Sequence, residues 1–223
     1  MPKKVKKRIK FKLIPIFFLV CFCTLTYFFL SYLVDTKIKN IYIYGNNILK
    51  DQEIIELAKI ENYPSFYKTF SINIRKNIEK NPIVKEVKVK KRFFNVLKIY
   101  VTEYVPLVIK DNKTILENGI AIDKIIPKVP TLTNMNNDEV YNLLLNELIK
   151  LGAIEKNQIS QIIYSPSEYD NTRFLLYMND GNHIYININK FKNLDYYNEI
   201  YPTLNNKKGT LYLDSGNHFE VFK

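Results

Sequence analysis

The chain has 223 residues and a formal charge of +11. Seven of its 33 basic residues (Lys3, Lys4, Lys6, Lys7, Arg8, Lys10 and Lys12) fall within the first twelve positions, and the other 26 face 22 acidic residues, so the excess is local and nucleic-acid binding is a poor explanation of it. Only Cys21 and Cys23 could form disulfides or cysteine metal clusters, and both lie in one apolar run, which excludes that chemistry from everything after it.

That run, Leu13 to Val34, has 22 residues without an ionisable acid or base. At 1.5 Å per residue a helix of this length is roughly 33 Å long, enough for a hydrocarbon core of about 30 Å. It is longer than the apolar core of a cleaved signal, and no small-residue cleavage site follows, so an uncleaved signal anchor is expected. Seven cations before the span against Lys37 and Lys39 behind it predict a cytoplasmic tail, 1–12, held near anionic headgroups. The residues from about Asp35 to Lys223 are then extracytoplasmic and must fold without disulfides. Cys21 and Cys23 point about 200° apart on a helix, and apolar packing suits them better than palmitoylation.

Beyond the span, Ile38 to Tyr44 is rich in β-branched and aromatic residues and closes on Gly45-Asn46-Asn47, which predicts a strand and turn. Asp51 is the expected N-cap of a helix with Glu53 in its first turn and Ile54, Leu57, Ala58 and Glu61 on one face; Asn62-Tyr63-Pro64-Ser65 breaks it. Phe70, Ile74 and Ile78 predict a second amphipathic helix ending near Asn81-Pro82. Ile83, Val87 and Val89 alternate with Val84, Glu86, Lys88, Lys90 and Arg92, and Leu97, Ile99 and Val101 repeat the alternation past Phe93-Phe94-Asn95, a hairpin with one buried and one wet face. The basic residues Lys88, Lys90, Arg92 and Lys98 are most simply the solvated face of a sheet covered on one side; contact with anionic lipid or wall polymer is the functional alternative.

In the second half, Lys113 to Ile122 holds a strand, a Glu-Asn-Gly turn and a strand. Leu132 to Asn137 is expected to be a polar lead-in to a helix that starts at Asn137/Asp138, carries Val140, Leu143, Leu144, Glu147, Leu148 and Leu151, and stops at Gly152. Phe174–Met178 and His183–Ile188 flank Asn179-Asp180-Gly181-Asn182 as a hairpin. Phe191, Leu194, Tyr197 and Tyr201 predict a short helix ended by Pro202, and 211–214 with 218–222 a final hairpin around Ser215-Gly216-Asn217.

The order strand, helix, helix, strand, strand matches the POTRA arrangement. Ile41 to Leu57 (IYIYGNNILKDQEIIEL) resembles the opening of such domains, and Glu103-Tyr104-Val105-Pro106 resembles the E-x-x-P that ends this domain in the FtsQ/DivIB family of bacterial cell-division proteins. The segment 113–122 resembles that family's strand, turn and strand opening the second domain, and Thr210 to Asp214 its late strand with an aspartate. The resemblance implies an α+β protein: a single N-terminal transmembrane helix (13–34), an extracytoplasmic POTRA domain (36–106) and a β-rich α+β domain (107–223). It further implies a septal scaffold bound to small bitopic coiled-coil division proteins (FtsL- and DivIC/FtsB-like) and linked to septal peptidoglycan synthesis.

Catalysis has little support. His183 and His218 are the only histidines, none of the familiar nucleophile, zinc or phosphate motifs occurs, and Asp214 to His218 is a turn rather than a triad. No cofactor, metal or small-molecule substrate is expected. A membrane-tethered hydrolase or ligand-binding protein with an unrecognised site in the second domain is the alternative, and a transport-associated protein is disfavoured because barrel-type strand repeats do not follow. Tyrosines such as Tyr42, Tyr44, Tyr63, Tyr67, Tyr100 and Tyr104 suit protein interfaces, although sheet packing accounts for most of them. The candidate partner-binding residues are Leu211, Leu213, Phe219 and Val221, on C-terminal strands that are apolar and lightly charged at a sheet edge.

Overall fold

A computed structural model describes residues 13–205 and 207–223, so the tail cations Lys3 to Lys12 lie outside the described residues. The chain divides after Thr102 into two compact units.

The first unit begins with helix α1, Leu13–Asp35, of which Ile14–Tyr32 is long and apolar enough to cross a membrane. Its two threonine hydroxyls are satisfied internally: Thr24 donates to the Cys21 carbonyl and Thr26 to those of Phe22 and Cys23, all at 2.9 Å, as lipid demands. Strand β1 (Asn40–Tyr44), helices α2 (Asp51–Ala58) and α3 (Ser71–Ile78), and strands β2 (Val84–Arg92) and β3 (Val96–Glu103) follow. The sheet order is β1-β3-β2, with β1 parallel to β3 and Ile43 opposite Ile99. Ile54, Ala58, Ile60, Ile74 and Ile78 are buried, as are Val87, Leu97, Ile99 and Val101 of the hairpin. Each fully buried aliphatic contributes about 1.5–3 kcal/mol. Gly45 has φ +85°, and a Cβ there would stand 2.3 Å from the Val101 carbonyl oxygen, so only glycine fits this turn.

Several local expectations shift. Lys50, not Asp51, is the N-cap of α2; its N–H donates to the Glu53 carboxylate at 2.6 Å, and Asp51 accepts from the Asn46 amide at 2.8 Å. The helix ends at Ala58 because Lys59 turns left-handed, so Glu61 lies outside it and Ile60 takes the buried position. Phe70 precedes α3 and is exposed. Val84 is buried although its parity is the wet one, since it adjoins the buried Ile83 where the strand begins. Ile43 is only half-buried because β1 is an edge strand flanked on one side. On the wet face, Lys88 pairs with Glu86 at 3.0 Å and Lys90 stands over the Tyr100 ring.

The second unit is a nine-stranded mixed sheet. Strands β4 (Pro106–Lys110), β5 (Lys113–Leu116) and β6 (Ala121–Ile122) form a meander with tight turns at Asp111-Asn112 and Gly119. Strand β7 (Thr131–Thr133) runs parallel to both β4 and β8 (Ile159–Tyr164), and the sheet continues through β9 (Arg173–Met178), β10 (His183–Asn187), β11 (Gly209–Tyr212) and β12 (His218–Val221). The spatial order is β12-β11-β10-β9-β8-β7-β4-β5-β6. Helix α4 (Asp138–Lys150), capped by the Asn137 side chain on the Val140 N–H at 3.1 Å, packs Val140, Leu144 and Leu148 into the core. A short helix α5 (Ala153–Gln158) leads into β8, and a 3-10 helix (Ile188–Tyr196) followed by α6 (Tyr197–Ile200) adds Phe191, Leu194 and Tyr197 to the same core.

Leu132 is the largest correction here: within the supposed polar lead-in it is a buried residue of a central strand, recognisable only from its two parallel neighbours. Leu143 is exposed, and Gly152 caps α5 after Leu151 has closed α4. Pro202 does not end the C-terminal helical stretch but sits in the first turn of a further 3-10 segment, Tyr201–Leu204, where its missing N–H is harmless.

Candidate functional site

The sheets offer edges, and the edges differ. Strand β2 carries Lys85, Glu86, Lys88, Lys90, Lys91 and Arg92, the charge pattern that discourages pairing, and β6 is two residues long. Strand β1 is an uncharged edge of the first unit, with Tyr44 stacked on Tyr100 at 5.1 Å. Strand β12 ends the large sheet.

The register on β11 sets the direction of every backbone group of β12. Gly209 pairs with Val221, Thr210 with Glu220, Leu211 with Phe219 and Tyr212 with His218, and the Phe222 N–H donates to the Lys208 carbonyl at 2.9 Å. Antiparallel pairs alternate between bonded and non-bonded. His218, Glu220 and Phe222 therefore turn their backbone groups toward β11, and Phe219 and Val221 turn theirs to the free edge. Gly209 permits the close approach, since a Cβ there would meet the Glu220 carbonyl oxygen at 2.1 Å.

The side chains sort the candidates. Leu211 and Leu213 are each only 2% exposed and belong to the core, so they are not available to a partner; β11 is flanked on both sides. Phe219 is partly buried against the core, whereas Val221 and Phe222 are 47% and 43% exposed. The face opposite the helices carries rings in contact: Tyr177 and His183 at 4.2 Å, His183 and Phe222 at 4.9 Å, Tyr185 and Tyr212 at 5.4 Å, Tyr212 and His218 at 4.6 Å. Desolvation lowers the pKa of His183.

Two polar clusters hold β11 in place. Asn182, fully buried, donates from Nδ2 to the Tyr197 hydroxyl at 2.9 Å and accepts the Gly209 N–H on Oδ1 at 3.0 Å. The Tyr197 hydroxyl in turn donates to Asp180, and burial followed by that carboxylate raises its pKa, keeping it a neutral donor. On the other side, Arg173 Nε donates to Asp214 at 2.6 Å, with the guanidinium 3.7 Å over the Tyr185 ring and Lys190 Nζ on the Asp214 carbonyl at 3.0 Å. The aspartate singled out in the sequence is thus a structural tie between β9 and the end of β11. Both clusters join residues more than ten positions apart, which no local spacing announces. Among the described residues, no group of three or more His, Cys, Asp and Glu side chains converges as a metal site would require.

A family model and three known proteins match the chain. Residues 36–104 match the model of the FtsQ-type POTRA domain. The cell division protein DivIB of Bacillus anthracis is 30% identical over 222 residues, covering 94% of this chain and 82% of that protein. Those of Bacillus subtilis strain 168 and Geobacillus kaustophilus are each 30% identical, covering 84% and 91% of this chain and 75% and 80% of theirs.

Proposed function

The chain belongs to the DivIB family of cell-division proteins, and we propose that it is a non-enzymatic membrane scaffold of the septal division complex that takes up a partner strand along β12. The free edge carries this reading: outward backbone groups at Phe219 and Val221 lie beside exposed apolar side chains, the combination that strand addition uses. The partners proposed are small bitopic coiled-coil division proteins, FtsL- and DivIC/FtsB-like, through which the scaffold is connected to septal peptidoglycan synthesis. The basic tail stays in the cytoplasm and the two folded units lie outside, in keeping with the seven cations before α1.

Proline scanning tests the edge. Phe219→Pro and Val221→Pro each remove an outward donor and are expected to abolish capture of the division partner while the second unit stays folded. Glu220→Pro removes a donor to β11 and is expected to disrupt the strand itself. Variants at 219 and 221 that stay folded and bind normally would eliminate β12, and loss of binding on placing proline in β1 instead would move the docking edge to the first unit.

A further inference from the structure

We infer that the tip of the β2–β3 hairpin, Phe93-Phe94, inserts into the lipid interface beside α1 and gives the first unit a second membrane contact. The inference rests on α1 spanning a bilayer and is independent of docking at β12.

Position is the first argument. Because β3 runs parallel to β1 with Val96 opposite Asn40, the turn before Val96 lies at the end of the sheet where the chain leaves α1. The Lys39 N–H donates to the Asn95 carbonyl at 3.0 Å, only four residues after Asp35 closes the helix. Four extended residues reach at most about 14 Å, and the headgroup layer on one side of a bilayer is about 5–7 Å thick. The neighbouring α2–α3 connection is pinned to the same level: the Phe66 N–H donates to the Thr36 carbonyl at 2.8 Å, the Ser65 hydroxyl to that of Val34, and Lys68 pairs with Asp35 at 3.5 Å.

Exposure and backbone supply the second. Phe93 is 90% and Phe94 88% exposed, the two most exposed large hydrophobic residues among those described in the first unit. Phe94 and Asn95 have φ of +64° and +58°, the two positive values of a tight hairpin turn for which Asn-Gly is the unstrained choice. A bulky aromatic in that conformation is held against its backbone preference, and water gives no compensation for it. Chemistry completes the case. Lys91 and Arg92 directly precede the pair, Tyr67 is exposed beside it, and Lys91 Nζ lies 4.7 Å over the Phe66 ring. Aromatic rings with cations around them are what membrane–water interfaces select, the rings at headgroup depth and the cations against lipid phosphates. The turn at the other end of β1, Gly45-Asn46-Asn47, is polar by contrast.

The chain contains no tryptophan, so Phe93→Trp is a single reporter in the full protein. Reconstituted into phosphatidylcholine–phosphatidylglycerol vesicles, it is expected to emit at blue-shifted wavelength and to lose most of its intensity when the lipids carry bromine just below the headgroups. Tyr169→Trp, 96% exposed in the second unit, is the reference and is expected to keep water-like, unquenched emission. Flotation separates the premises. A chain that does not float with the vesicles overturns the span and the tip together, whereas a floating chain with water-like, unquenched emission at position 93 overturns the tip alone. A blue shift insensitive to brominated lipid, or one that needs high protein-to-lipid ratio or an added division protein, reports protein contact and overturns it as well.

Discussion

Replacing Asn182 by alanine is expected to destabilise the second unit severely and to loosen β11 and β12 in particular. The side chain is fully buried and makes two bonds that nothing nearby can replace. Loss of Oδ1 strands the buried Gly209 N–H, a penalty of about 1–3 kcal/mol, and loss of Nδ2 removes a bond worth about 1 kcal/mol. The void left by the amide adds up to about 1 kcal/mol more. The expected total is about 2–5 kcal/mol, a large share of the stability of a domain that has about 5–15 kcal/mol in all. Tyr197→Phe is expected to cost about 1–3 kcal/mol, because it strands the buried Asn182 Nδ2 donor, whereas Asp180 is only half-buried and recovers hydration when it loses the hydroxyl. Urea unfolding of residues 36–223 gives the energies, and amide hydrogen exchange gives the location: the Gly209 amide, and with it the β12 ladder, should lose protection ahead of the β8–β9 centre. An Asn182→Ala protein that loses less than about 1 kcal/mol, or that keeps Gly209 protected, would refute the role assigned to this buried cluster.

In the first unit, Ile99→Asp places a carboxylate in the fully buried centre of the sheet and should cost several kcal/mol in a melting experiment, whereas Ile43→Asp on half-buried β1 should cost clearly less; equal losses would contradict the edge position of β1. Residues 36–223 are expected to melt at the same temperature with and without reductant, since both cysteines are in α1. His183, with its pKa lowered below the ordinary 6.5, binds a proton less readily folded than unfolded. Stability of the second unit should therefore be complete above about pH 6.5 and fall as pH drops through the folded value, and His183→Gln should flatten that acid limb in a pH series of unfolding curves.

Periodicity and punctuation determined much of this protein without any structure. An apolar run with one-sided cations marks α1, and the elements from β1 to β3 follow in the order their local patterns predict, because amphipathic alternation and Gly, Asn and Pro breaks are properties of a few adjacent residues. The same holds for the 174–188 hairpin, whose Asp-Gly turn and alternating isoleucines are local, and for α4, whose apolar stripe and Asn137 cap lie within fifteen residues. Boundaries and burial moved where an element begins or ends, as at Lys59, which turns left-handed, and at Val84, which opens its strand beside buried Ile83. What depended on pairing between distant segments was out of reach. Thr131–Thr133 is too short and polar to announce itself, and only its insertion between β4 and β8 makes Leu132 a core residue. The candidate edge shows the division most clearly: 211–222 is recognisable as two apolar strands, but nothing local tells which has a partner on both sides. Parallel pairing of β11 with β10, held by Asn182 and by the Arg173–Asp214 pair, buries Leu211 and Leu213 and leaves β12 outermost. That choice belongs to the tertiary structure, because a strand becomes an edge only through the neighbour it lacks.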